Sequence, residues 1–278
     1  MDHTFDAPPV DREVLDFAVG LATRAGQMSA QGFFGEWGSH RKEDGSEVTE
    51  IDLAVEESVR NELARHMPED GIYGEEKGST AGVSGRRDPI NGTTSFTRRW
   101  PLFSNDIAYE DEYGPAVGVI NMPMSRQMVV AGRGLGCWVL IRENPDLKSG
   151  HRAHVTERTS TRGARTQALN PAGWPEELLT ALHRQVFLMA SMGCIVDLVT
   201  GRADAVVIAG PPMGYEDVAP LPVIVSEAGG RVTDLDGTSV LQGDMTVLAT
   251  NGLLHEAMLD LVEGLPRSRD LHALDDAV

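Results

Sequence analysis

Apolar side chains recur at close to helical spacing over residues 11–34, where Val14, Leu15, Ala18, Leu21, Ala22 and Ala25 form one stripe. Asp11 precedes the stripe as an N-cap, because its short carboxylate can accept from the first unpaired N–H groups of a helix. Residues 38–45 break the pattern with charge and glycine and read as a loop. The spacing resumes at Leu53, Val55, Val59 and Leu63, which predicts a second helix over about 49–66. Thr49 followed by Asp52 resembles a capping pair at its start. Pro68 to Gly71 ends that helix, and Ile72-Tyr73 reads as a short strand leading into Gly74-Glu75-Glu76.

From Pro101 the texture is β. Residues 103–109, 116–122, 127–131 and 137–141 are short apolar runs separated by Gly, Pro or charge, the pattern of an antiparallel sheet. The second half alternates helix and strand signals: helices over 175–183, 191–200, 218–227 and 253–262, strands over 205–208 and 247–249. Met189 and Met192 read as core residues and His255 as an ordinary helix residue. The polar stretch 142–150 is the expected domain junction. The chain is therefore read as α/β overall: an α+β domain over 1–145 with most of the candidate ligands, an α/β domain over 146–265, and a frayed tail over 266–278.

Composition narrows the function classes. A net charge of −18 argues against a nucleic-acid or anionic-membrane surface, since both need clustered Lys and Arg. It is compatible with a phosphorylated substrate, because bound cations reverse the local potential. Cys137 and Cys194 both sit in apolar settings, which argues against a disulfide framework and for a reducing compartment. No charged-then-apolar leader opens the chain and no apolar run approaches the ~20 residues of a membrane span, so a soluble, cytoplasmic protein is expected.

The run Asp88-Pro89-Ile90-Asn91-Gly92-Thr93-Thr94-Ser95-Phe96 carries the chemistry. Asp88 and Asn91, three residues apart on a turn closed by Gly92, can aim two oxygens at one small cavity. Hard cations such as Mg²⁺ are held in this way, by carboxylates, backbone carbonyls and waters, with a phosphate completing the shell. Asp52, Glu75 and Asp217 are the further acidic candidates. Glu75 ends a short strand and Asp217 follows a Gly-Tyr-Glu turn, and functional side chains collect at such places.

Gly74-Glu75-Glu76, the Asp88 to Thr94 run, and Glu216-Asp217-Val218-Ala219 leading to Glu227-Ala228-Gly229-Gly230 together resemble the inositol monophosphatase family of Mg²⁺-dependent, commonly lithium-inhibited phosphatases. The similarity spans about residues 11–263 and includes Val48 to Asp52 and Asn251 to His255. The Thr-Ser-Phe ending and Trp100-Pro101-Leu102-Phe103 look closer to the histidinol-phosphate phosphatase branch. The resemblance implies a layered α-β-α-β-α sandwich, a homodimer, and a small phosphorylated metabolite as substrate, with inositol, polyol, sugar and histidinol-like phosphates all open. It places one Mg²⁺ at Glu75, Asp88 and the Ile90 carbonyl, and a second at Asp88, Asn91 and Asp217. Thr93 and Glu75 would flank the nucleophilic water, Asp52 would draw the Thr93 proton, and the Gly92 and Thr93 N–H groups would cradle the phosphate. Thr94, Arg98, Arg99 and Glu216 are weaker substrate-side candidates; an Arg fork suits a phosphate or a carboxylate, and a solvated turn is the competing reading.

The chain also departs from that pattern. Asn91 stands where the family has a second Asp, so one formal negative charge is missing from the second metal position. Cation affinity follows ligand charge, which predicts weaker second-metal binding, and slower turnover or a need for high Mg²⁺. Ser84-Gly85-Arg86-Arg87 replaces an apolar strand of relatives, and a charged run makes a poor buried strand. Glu216 stands where relatives carry an aromatic residue, and Pro211-Pro212 stiffens a loop where many place a substrate-binding acid. Two readings follow: a working phosphomonoesterase, or a catalytically weakened member kept as a binding or regulatory subunit.

Overall fold

The apolar stripe that begins after Asp11 folds as α1 (Arg12–Phe34), and the Asp11 carboxylate accepts from the Glu13 N–H at 2.9 Å. In this computed structural model residues 7–42, 47–80, 86–141, 147–210 and 213–268 are described, the stretch 86–90 by its backbone alone. After α1 come β1 (Ser39–Arg41), β2 (Glu47–Thr49), α2 (Glu50–His66), β3 (Tyr73–Gly74), β4 (Gly78–Ser79), β5 (Arg86–Asn91) and α3 (Thr93–Thr97). Then follow β6 (Ser104–Asp111), β7 (Gly114–Met122), β8 (Gln127–Gly132), β9 (Gly136–Ile141) and β10 (His151–Arg152). The remaining elements are β11 (Arg165–Ala168), α4 (Glu176–His183), β12 (Phe187–Ala190), α5 (Cys194–Val199), β13 (Ala205–Ile208), α6 (Tyr215–Val218), α7 (Leu221–Glu227), β14 (Arg231–Thr233), β15 (Val247–Thr250) and α8 (His255–Val262).

The chain divides into two compact units, one of residues 1–152 with 219–227, the other of 153–218 with 228–278. The junction expected between 145 and 146 falls outside the described residues, as does most of the expected tail, from 269 onward.

In the first unit β5 to β10 form one antiparallel sheet in the order β10-β9-β8-β7-β6-β5. One face packs on α1 and α2 through Leu15, Leu21, Val55, Val59, Ile107 and Val119. Phe96 of α3 enters the same core, 4.9 Å from the Phe103 ring and edge-on to it, so the turn after β5 is fixed from below. Helix α7 covers the opposite face of β7 and β8. It approaches so closely that a Cβ on Gly118 would stand 2.5 Å from the Pro220 carbonyl oxygen and 2.8 Å from Val223. The second unit has a mixed sheet, β12-β11-β13-β15-β14, with β12-β11-β13 parallel and the rest antiparallel. Ala168, Trp174, Leu178, Leu248 and Met258 lie in its core.

Several expectations need correction. Residues 39–41, read as loop, pair with β2, Ser39 opposite Thr49. The single helix expected over 218–227 is two short ones, α6 and α7. Pro220 lies just before α7 and Pro222 in its first turn; neither position requires a donated N–H, whereas both would break a continuous helix. The helix expected over 191–200 shortens to α5, with Gly193 as its N-cap. Arg86 and Arg87, expected to make a poor strand, are in strand conformation opposite Ala108 and Ile107. The reason is position: β5 is the edge of the sheet, where charge is tolerated and protects against further pairing. Met189, expected in the core, lies on edge strand β12 and is 49% exposed. No helix among the described residues is long and apolar enough to cross a membrane.

Candidate active site

Asp52 occupies the first turn of α2 and is buried. Its Oδ2 accepts from the Thr49 N–H at 2.6 Å and the Thr49 hydroxyl at 2.5 Å, while its own N–H donates to Thr49 Oγ1 at 3.3 Å. This reciprocal cap locks the carboxylate and leaves Oδ1 facing the Thr93 hydroxyl at 3.5 Å. Burial pushes the Asp52 carboxyl above its ordinary range; the Thr49 hydrogen bonds oppose this, and Glu75 nearby adds to the rise. The result is a carboxylate more basic than one in water, directed at the one hydroxyl of the Asp88 run that begins α3.

Glu75 follows β3, which lies beside β5. Its Oε1 accepts from Lys42 Nζ at 2.7 Å, and Glu76 Oε1 accepts from the same ammonium at 2.8 Å. Burial by itself would lower the Lys42 ammonium, but hydrogen bonds to Glu75 and Glu76 outweigh it and hold the group above its ordinary range. Two carboxylates from one turn thus converge on one cation. The turn is held by Glu56, a residue that sequence reasoning missed. Glu56 is buried on α2 one turn after Asp52, accepts from the Glu76 and Lys77 N–H groups at 2.9 and 3.1 Å, and pairs with Arg60 at 2.7 Å. Its signal in the sequence is a charged residue four positions after Asp52 on the stripe that also buries Val55 and Val59.

Strand β5 is irregular where the chemistry is expected. Asp88 is opposite Asp106 and Asn91 opposite Ser104, so β5 carries one residue more than β6 across that interval. Pro89, which has no N–H to give to a ladder, falls in this bulge, and a bulge frees backbone groups and re-aims side chains. The Asp88 and Ile90 side chains lie outside the description. Asn91 donates through Nδ2 to Asp106 Oδ2 at 3.0 Å, and the Ser104 side chain also hydrogen-bonds Asp106. Asp106 is 4% exposed, and its other oxygen, Oδ1, is buried with no hydrogen-bond partner among the described residues. Burial pushes the Asp106 carboxyl up to about 6, against the pull of Ser104 and Asn91.

Gly92 takes φ 93°, a left-handed conformation that a side chain would strain, and turns the chain into α3. Thr94 is exposed on α3. Arg98 donates to the Thr94 carbonyl at 3.1 Å and is half exposed. Arg99 is given to α1: it donates to the Phe33 carbonyl, to the Gly35 carbonyl at 2.8 Å, and stacks 4.6 Å from the Trp37 ring centroid. In the second unit Asp217, on α6, accepts from the Gly214 N–H at 3.0 Å, and Glu216 Oε2 is buried with no hydrogen-bond partner among the described residues. The described residues contain no ready cluster of three or more His, Cys, Asp or Glu around a metal position. The donors present are nonetheless of the kind a hard cation selects. Glu75 and Glu76 already share one positive charge, and Asp106 Oδ1 is a buried carboxylate oxygen with no hydrogen-bond partner among the described residues.

Comparison with known proteins gives a consistent result. The sequence pattern of the inositol monophosphatase family matches residues 10–267. A histidinol-phosphatase of Mycobacterium tuberculosis is 34% identical over 254 residues, covering 88% of this chain and 96% of that protein. A solved IMPase of Thermotoga maritima superposes with a TM-score of 0.78 at 24% identity, covering 90% of this chain and 96% of that one. A solved IMPase/NADP phosphatase complexed with Mg²⁺ and phosphate superposes with a TM-score of 0.77 at 17% identity, covering 94% and 98%. These structural likenesses carry the fold, and the α/β class expected from the sequence holds.

Proposed function

The chain belongs to the inositol monophosphatase family and is a phosphatase of that family; from that premise we propose that it is a Mg²⁺-dependent phosphomonoesterase acting on a small phosphorylated alcohol. Histidinol-like phosphates stand first among the substrates, because the M. tuberculosis relative that covers most of the chain is a histidinol-phosphatase. The observation that carries the reading is the locked Asp52 carboxylate directed at the Thr93 hydroxyl, at the turn that closes the Asp88 run.

Asp52 Oδ1 accepts the Thr93 proton, which turns the oxygen lone pairs of Thr93 away from Asp52 and toward a water to be activated. Glu75, Asp88, the Ile90 carbonyl and Asn91 would hold Mg²⁺, and the resemblance adds Asp217 as a further ligand. Mg²⁺, when bound, makes a coordinated water more acidic and neutralises phosphate charge. Gly92 and Thr93 offer N–H groups at the first turn of α3, where a helix has no internal acceptors for them. The protein's share of the reaction is positioning and charge neutralisation in an in-line transfer.

The test is phosphate release from a panel of histidinol, inositol and sugar phosphates with Mg²⁺ titrated. Turnover that requires Mg²⁺ and is lost in Asp88→Ala is the expected result, with Thr93→Ala slower by about 10²-fold or more, the usual worth of a positioned proton-transfer group. Absence of turnover at every Mg²⁺ concentration, with recovery in Asn91→Asp, would instead identify a weakened member acting by binding.

A further inference from the structure

Asn91 has lost the charge that the family places at its position, yet the structure sets a buried carboxylate directly behind it. Asn91 is opposite Ser104 on β6, and Asp106 lies two residues further along the same strand. Alternation puts Ser104 and Asp106 on one face of the sheet. It is the face opposite α1, because the intervening Asn105 turns to α1 and donates to Ser29 at 2.9 Å, and Ile107 packs in the α1 core. Asn91 reaches Asp106 along the diagonal that cross-strand neighbours use.

That single hydrogen bond has a directional consequence. An amide has one donor end and one acceptor end, and Asp106, as a carboxylate, can only accept. With Nδ2 committed to Asp106 Oδ2, the end of Asn91 left to face outward is Oδ1, the only atom of that side chain able to bind a cation. The opposite rotamer would point an oxygen at a buried carboxylate and an N–H pair at the metal position. The negative charge behind the amide also polarises it, drawing electron density toward the carbonyl oxygen. Asp106 is 4% exposed and its Oδ1 has no hydrogen-bond partner among the described residues, so without a nearby cation this carboxylate is poorly compensated.

We propose that Asp106 is a positioning residue for the cation bound at Asn91: it orients the Asn91 carbonyl oxygen and restores, one side chain back, the negative charge that Asn91 lacks. This rests on the Mg²⁺-dependent reading above. It also revises the expectation drawn from Asn91 alone, since the charge is relocated and not lost. Oriented partners behind a metal ligand are worth roughly 10- to 100-fold in metal affinity.

The experiment is Mn²⁺ binding followed by electron paramagnetic resonance on the full chain without substrate, alongside melting curves with and without Mn²⁺. Asp106→Asn should weaken Mn²⁺ binding roughly 10- to 100-fold. It should also leave metal-free melting unchanged or higher and shrink the metal-induced rise in melting temperature, which a merely structural residue would not do. The exchanged pair Asn91→Asp with Asp106→Asn should recover most of the wild-type affinity. In an Asn91→Ala background, Asp106→Asn should weaken binding by a smaller factor than in the wild type, because the orienting part of its effect acts through Asn91 and only the charge remains to be lost. Wild-type affinity in Asp106→Asn, or a loss in the Asn91→Ala background as large as in the wild type, overturns the inference. If Asp106→Asn does not fold, the exchanged pair and Asp106→Glu, which keeps the charge but moves the carboxylate, decide in the same way. Phosphate release is measured in parallel. Mn²⁺ binding that depends on Asp106 in a protein without turnover would sink the phosphatase reading alone. Turnover that persists with unaltered Mn²⁺ binding in Asp106→Asn would sink this inference alone.

Discussion

Asp52 joins two tasks that a sequence separates: it closes the N-terminus of α2 and it faces the Thr93 hydroxyl. The two can be dissected. Thr49→Val removes the cap partner and should lower stability by about 1 kcal/mol, read from urea unfolding, while phosphate release at saturating Mg²⁺ falls little. Asp52→Asn keeps the shape and loses the proton acceptor, so its main effect should be on turnover. Glu56 is the counterpart at the Glu75 turn. Glu56→Gln leaves a buried side chain that can no longer accept from both turn N–H groups as a carboxylate while pairing with Arg60. It should weaken Mg²⁺ binding measured by calorimetry, although Glu56 itself is not among the residues proposed to hold the metal. His255 gives a separate prediction. It sits between the Thr233 and Thr250 hydroxyls at 3.0 and 3.1 Å, and burial, aided by Arg231, lowers its pKa from 6.5 to about 4. Between those values the unfolded chain binds the proton and the folded chain does not, so stability present above pH 6.5 is lost as pH falls toward about 4. The loss attributable to His255 is roughly 3 kcal/mol. Unfolding of His255→Gln from pH 7 to 4.5 should show a correspondingly flatter acid limb; an unchanged limb would contradict the assignment.

At the scale of elements, long periodic segments were legible and short or edge segments were not. α1, α2 and the strands β6 to β9 emerge from spacing alone, since each repeats its period several times. β1, β4 and β10 have two or three residues, too few to show a period. β11 escaped notice because its buried positions include Thr166 and Gln167; Gln167 is satisfied by donating to Asp197 at 2.7 Å, a partner thirty residues away. The strand character of Arg86 and Arg87 was hidden for a different reason: charge argues against a central strand and says little against an edge. Asp106 shows the same limit at the site. In Ser104-Asn105-Asp106-Ile107 it reads as the solvent side of an alternating strand, and only the fold brings it to Asn91. The packing of α7 on the sheet carries its own prediction. Gly118→Ala drives a Cβ into the Pro220 carbonyl and Val223, so it should destabilise by about 1–3 kcal/mol and lower the urea midpoint.

For the molecule as a whole, the net charge of −18 means that any salt relieves self-repulsion, and a cation effect on stability must be separated from screening. At matched ionic strength Mg²⁺ should raise the melting temperature where Na⁺ does not, by an amount that grows with concentration, corresponding to about 2.7 kcal/mol at a hundred times the dissociation constant. The order of motifs along the chain located the family and the reaction class. Spacing and charge counting alone made Asn91 a defect, because the carboxylate that stands behind it is fifteen residues away in sequence. The most direct test of the central claim is the rate of phosphate release by the wild-type chain from histidinol phosphate as Mg²⁺ is raised from zero. The account predicts no turnover without the cation and a saturable rise with it, abolished by Asp88→Ala. Turnover indifferent to Mg²⁺, or none with any phosphate ester at any Mg²⁺ concentration, would contradict it.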